Sequence, residues 1–190
     1  EKTRHLDIDD VGFFIKLLSY MHEHHGITRV FIAGYSNGGQ MVLRLMHEVP
    51  KMISGAATIA ANLPTADNTL PEVLRMKPHP IPYLAMAGTA DPFSPYTGGD
   101  AGIGSRHRRG QGLSAPDSAA YFARRNGLSG AKTTRTRPSG AVVVDRWEGE
   151  APVELWTLIG VGHLVPSDKK YPDFLGPSTD ALIAAEVIAD

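Results

Sequence analysis

Three polar residues of this chain, Ser36, Asp91 and His163, each stand just past a short apolar run, in the order serine, acid, histidine. The serine lies in Gly34-Tyr35-Ser36-Asn37-Gly38-Gly39, which joins the end of an apolar stretch directly to a helical pattern. A serine hydroxyl is a poor nucleophile until a base takes its proton and an acid orients that base. A G-x-S-x-G turn between strand and helix predicts a strained elbow that presents Ser36, with Gly34 and Gly38 letting strand and helix approach. The amide of Asn37, at the start of the helix, points where an oxyanion would form. The plain alternative is a glycine-rich strand-to-helix turn, such as one that binds phosphate.

Asp91 lies in Gly88-Thr89-Ala90-Asp91-Pro92, past another apolar run, where open α/β sheets keep their sites. Its alternative reading is an Asx turn, which Asp-Pro commonly makes. Among the eight histidines, only His163, in Gly160-Val161-Gly162-His163, follows the last apolar strand pattern. That order predicts Ser36 as nucleophile, Asp91 as acid and His163 as base. Tyr35, Phe93 and Tyr96 are candidates for the walls of an acyl or aromatic pocket, although Tyr35 also suits simple packing under the elbow.

The elements that must position these residues follow from periodicity. Residues 9–25 carry Val11, Phe14, Ile15, Leu18, Met21 and His22 on one helical stripe, behind Asp7, Asp9 and Asp10 as capping and dipole residues, with Gly26 at its stop. Residues 30–35 form a continuous apolar run, the pattern of a strand buried on both faces. A helix is predicted over 37–49, then strands over 53–61, 81–88 and 153–159, the last pairing as a hairpin with 141–147. Residues 63–80 read as a loop with a short helix, and Ser114 as the cap of a helix near 116–126. The Gly- and Arg-rich stretch 97–112 reads as a surface excursion near the site. A final helix is expected from Ser178 or Thr179 to the end. Strands alternating with helices predict one α/β domain with a mostly parallel sheet.

Composition narrows the classes. The 190 residues are 42% hydrophobic and 21% charged, which supports a packed core and excludes a disordered chain. With 19 basic and 20 acidic side chains there is no global footprint for nucleic acid. No apolar run reaches a bilayer span. The absence of cysteine excludes disulfides, a thiol nucleophile and a thiolate metal site. His22-Glu23-His24-His25 suits a solvated helix end better than a metal site, so no metal or cofactor is expected. Arg106-His107-Arg108-Arg109 reads by default as a solvated loop, with binding of an acidic substrate end as the alternative.

These motifs resemble α/β-hydrolase esterases of the polyhydroxybutyrate depolymerase and feruloyl esterase type. The resemblance rests on Asp9-Asp10-Val11-Gly12-Phe13, the Ser36 elbow, Gly88-Thr89-Ala90-Asp91-Pro92 with Pro95-Tyr96-Thr97-Gly98-Gly99, and Gly162-His163. It implies the α/β-hydrolase fold and a serine carboxylesterase working through an acyl-enzyme. Implied substrates are hydroxyalkanoate oligomers, feruloyl or acetyl esters, or short acyl esters, and a secreted or periplasmic setting. The family's Trp-Pro-Gly after the histidine is replaced here by Leu164-Val165-Pro166. The family's strands ahead of the first helix, whose loop supplies a second oxyanion amide, have no counterpart before Asp9. Two expectations follow: association with such an N-terminal segment or as a homodimer along the 30–35 strand, and, as an alternative function, a weakly active interaction module.

Overall fold

A computed structural model describes residues 8–103, 107–128, 130, 132–137 and 140–190. In chain order the elements are α1 (Asp10–His25), β1 (Phe31–Tyr35), α2 (Asn37–Glu48), β2 (Gly55–Ile59), the short α3 (Pro71–Leu74), β3 (Tyr83–Gly88), β4 (Gly99–Ile103), β5 (His107–Gly112), α4 (Ala115–Arg125), β6 (Thr133–Thr136), β7 (Val142–Trp147), β8 (Val153–Leu158) and α5 (Ala184–Ala189). Six strands form one sheet in the order β1-β2-β3-β8-β7-β6. The first four are mutually parallel, and β7 and β6 continue it antiparallel. This is a mostly parallel α/β sheet flanked by helices.

Local sequence explains the element ends. Asp9 caps α1 by accepting the Gly12 amide at 2.7 Å, and Gly26 closes it in the left-handed conformation at φ 63°. Ser114 caps α4, its Oγ accepting the Asp117 amide. At the far end of α4, Asn126 donates to the carbonyls of Ile81 and Ala151, which ties the helix to the entries of β3 and β8. Under the sheet, α2 and α4 bury Val42, Leu43, Leu45, Met46, Ala119 and Phe122 against Ile81, Tyr83, Val153 and Leu155. Truncating any of these leucines to Ala would cost about 2–5 kcal/mol.

Three expectations are corrected. The first parallel strand is not buried on both faces: β1 is the sheet edge, and Phe31 is 63% exposed. Likewise α1 buries only Val11 of its predicted stripe fully, and Ile15 remains exposed. The stretch 97–112, read as a surface excursion, pairs β4 with β5 as a two-stranded antiparallel ribbon apart from the main sheet, with a bulge between Asp100 and Gly102; Arg106, like Asp7, lies outside the described residues. Backbone pairing, tolerant of glycine, holds the ribbon where side-chain periodicity gives no signal. The final helix is confined to Ala184–Ala189: its first backbone acceptor is the Ile183 carbonyl, and the Ala184 amide donates instead to the Pro166 carbonyl. Strand β6, at the other sheet edge, has too polar a sequence, Thr-Thr-Arg-Thr, to be read as a strand.

Candidate functional site

In a parallel sheet every strand points its carboxyl end to the same edge, so the loops leaving β1, β3 and β8 meet there. Ser36 follows β1 directly, Asp91 follows β3, and His163 follows β8. The register aligns Gly88 with Leu158 and Tyr35 with Ile59, so these exits lie level.

Ser36 occupies φ 53°, ψ −116°, a region that L-residues rarely adopt. Its amide donates to the Ile59 carbonyl at 2.9 Å and its carbonyl accepts the Gln40 amide at 3.1 Å, so the strained turn is held from both sides. Glycine permits the close approach of β1 and α2, but not at both predicted positions. A Cβ on Gly34 would meet the Gly38 backbone at 2.4 Å, whereas one on Gly38 would meet nothing within 4 Å. The second tight contact belongs to Gly39, whose Cβ would meet that of Ala61 at 2.5 Å. The first-turn amides of α2, Asn37 included, have no intrahelical acceptor and give that end its partial positive charge.

His163 Nε2 lies 2.7 Å from Ser36 Oγ, and Nδ1 lies 2.7 Å from Asp91 Oδ2. An ionised carboxylate can only accept, so Nδ1–H donates to Asp91 and Nε2 accepts from the serine hydroxyl. Asp91 and His163 are each 6% exposed, which keeps water from competing for these bonds. The other carboxylate oxygen, Oδ1, accepts the amides of Phe93 and Ser94, both at 2.8 Å. One carboxylate oxygen thus makes the Asx turn while the other faces the imidazole.

The histidine loop is fixed independently. The His163 amide donates to the Leu175 carbonyl at 2.6 Å, and Gly162 is pressed so closely that a Cβ there would lie 2.1 Å from that carbonyl oxygen. Tyr35 is not simply a pocket wall: its hydroxyl donates to the His163 carbonyl at 2.8 Å. Burial, and secondarily the negative charge of Asp91, raises the Tyr35 pKa, so the phenol stays a donor. Phe93 presents its ring to His163 edge-on, centroids 5.2 Å apart. Tyr96 instead turns toward the core, its hydroxyl paired with Thr157 Oγ1 at 2.9 Å. Two participants escaped the sequence reading: Gly39, and the loop around Phe174, whose exposed ring lies 6.4 Å from Phe93. Arg109 of β5, read by default as solvated, donates from Nη1 to Asn37 Oδ1 at 3.1 Å.

A serine whose hydroxyl donates to a carboxylate-oriented imidazole, beside free helix-terminal amides, has the parts for acyl transfer. Among the described residues there is no group of three His, Asp or Glu side chains that could hold a metal ion.

No family model matches the chain. Over 117 residues it is 30% identical to the protein named "Putative esterase NocK" of Nocardia uniformis subsp. tsuyamanensis. The relationship is esterase-like. The match covers 59% of this chain and 33% of that protein, so the matched part spans about a third of the relative's length.

Proposed function

We propose that the chain is a serine carboxylesterase of α/β-hydrolase type, with Ser36 as nucleophile, His163 as general base and Asp91 as the acid that orients it. The observation that carries this reading is the hydrogen-bond chain Ser36–His163–Asp91, built on a serine at positive φ between a strand and a helix. The similarity to a protein named as an esterase supports it from sequence.

In the proposed reaction Ser36 Oγ attacks the ester carbonyl as its proton passes to His163 Nε2. Asp91 stabilises the imidazolium and holds its tautomer. The Asn37 amide donates to the oxyanion. Collapse breaks the bond to the alcohol oxygen, which takes the proton from His163 and departs, leaving an acyl-enzyme. Water, deprotonated by His163, then attacks the acyl carbon, and the acid leaves as Ser36 regains its proton. Hydroxyalkanoate oligomers, feruloyl or acetyl esters and short acyl esters are the proposed substrates. The edge-on Phe93 ring and the exposed Phe174 beside it favour an apolar or aromatic acyl group.

A fluorophosphonate probe tests the reading directly, together with a panel of 4-nitrophenyl esters of rising chain length and methyl ferulate. Covalent labelling and hydrolysis are expected for the parent and neither for Ser36→Ala. A folded Ser36→Ala variant that keeps a tenth of the parent turnover would refute it.

A further inference from the structure

The β4–β5 ribbon brings a cation to the elbow. Arg109 Nη1 donates to the side-chain oxygen of Asn37, the residue next to Ser36. Its backbone is anchored separately: the Arg109 carbonyl accepts from Asn68 Nδ2 at 3.0 Å. The adjacent Gly110, at φ 90°, lies so close that a Cβ there would meet that Asn68 amide at 2.4 Å. Two residues on, the Gln111 carbonyl accepts the Thr65 amide at 3.0 Å. Arg109 is therefore held in place beside the site.

Its charge is not used by the fold. Arg44 pairs with Glu48, Lys132 with Asp145, and Arg146 with Glu148 and Glu154. Among the described residues no carboxylate pairs with Arg109, which is exposed and spends one of five N–H donors on a neutral amide oxygen. A guanidinium in that state offers a charge-assisted contact to an incoming anion, with the fork geometry that suits a carboxylate. Against His163 lies the ring of Phe93, extended outward by the exposed Phe174, an apolar wall instead. The chemistry near Ser36 is thus cationic beside Asn37 and apolar beside His163.

We infer that Arg109 is a specificity-determining residue that selects esters whose acyl group carries a carboxylate beyond an apolar spacer, such as half-esters of dicarboxylic acids. This rests on the esterase reading above and narrows its substrate class. An uncharged ester of the same length would forgo the guanidinium contact while keeping the apolar one.

The test compares mono-4-nitrophenyl adipate with 4-nitrophenyl methyl adipate, which differ only in the distal carboxylate, after subtraction of enzyme-free hydrolysis. The parent is expected to show higher kcat/KM for the charged ester, with the preference falling as sodium chloride is raised. Arg109→Gln keeps a donor for Asn37 but no charge, and should lower the charged-to-neutral ratio about tenfold, the scale of one charge-assisted hydrogen bond. Arg109→Lys should restore most of the ratio. A merely structural role for Arg109 would lower both esters together and leave the ratio unchanged, which overturns the inference. So would a parent that hydrolyses both esters without preference. A parent that hydrolyses neither ester and takes no fluorophosphonate label overturns the esterase reading itself, and this inference with it.

Discussion

The phenol of Tyr35 reaches across the sheet edge to donate to the backbone carbonyl of His163 at 2.8 Å. The residue before the elbow serine thus holds the chain that carries the imidazole. Tyr35→Phe removes that bond while keeping the ring that lies 5.2 Å from the imidazole. The expected cost is about 1 kcal/mol of stability, seen by urea unfolding. Ester turnover should fall roughly threefold to tenfold with KM little changed, because the imidazole is less well placed. Unchanged kcat in a variant of normal fold would show that the Leu175 and Asp91 contacts suffice to position His163.

Asp91→Asn should be far more damaging to turnover than to folding. The amide oxygen can still accept the Phe93 and Ser94 amides, so the turn survives. The amide nitrogen then faces Nδ1 as a donor, which forces the proton onto Nε2 and removes the acceptor for Ser36. Turnover should drop by about 10⁴ with the circular-dichroism spectrum preserved. If Asp100 or Asp168 proved the sensitive carboxylate instead, the assignment of the acid would be wrong.

Gly38 and Gly39 should respond oppositely to alanine. Gly38 faces open space in the first turn of α2, so Gly38→Ala should be neutral or stabilising by up to about 1 kcal/mol. Gly39→Ala drives a methyl to 2.5 Å from the Ala61 Cβ, and overpacking of that kind costs about 1–3 kcal/mol. Thermal melts of the two variants check the order; equal effects would mean that α2 shifts freely away from β2.

Acidification should destabilise the fold partly through His47. It is 5% exposed, with Nδ1 on the Leu43 carbonyl and Nε2 on the Tyr121 hydroxyl. Burial, joined by the Arg125 charge, lowers its pKa below the usual 6.5, against the opposing pull of the Leu43 carbonyl. The unfolded chain therefore binds the proton first as pH falls. The contribution of neutral His47 is complete above the unfolded pKa and is lost as pH drops from about 6.5 toward the folded value. Melting temperature measured between pH 7.5 and 5 should fall less steeply for His47→Gln than for the parent. Parallel slopes would show that His47 does not titrate in this range.

Much of this arrangement is legible along the chain, because strand, elbow and helix are local. The run ending at Tyr35, the glycines after it and the helical pattern from Asn37 require only neighbouring residues to be read. The caps at Asp9 and Ser114 are local too, since a side chain reaches an amide three residues on. The order Ser36, Asp91, His163 is likewise visible, because each follows an apolar run and parallel strands must end at one edge.

What tertiary structure alone decided concerns groups brought together from far apart. Gly39, not Gly38, is the tight glycine because α2 presses on Ala61 in the segment leaving β2, a contact that no local pattern encodes. Tyr35 is a tether because His163, 128 positions away, turns its carbonyl toward it. Tyr96 is drawn inward because Thr157 on β8 offers its hydroxyl a partner. The exposure of Phe31 follows from the place of β1 in the strand order, which an apolar run cannot report. Arg109 sits beside the elbow because backbone pairing folds a glycine-rich ribbon back over it, and backbone hydrogen bonds leave no periodic trace in side-chain type. Local sequence set which residues could do chemistry; the packing of α2, β8 and the ribbon set which of them touch.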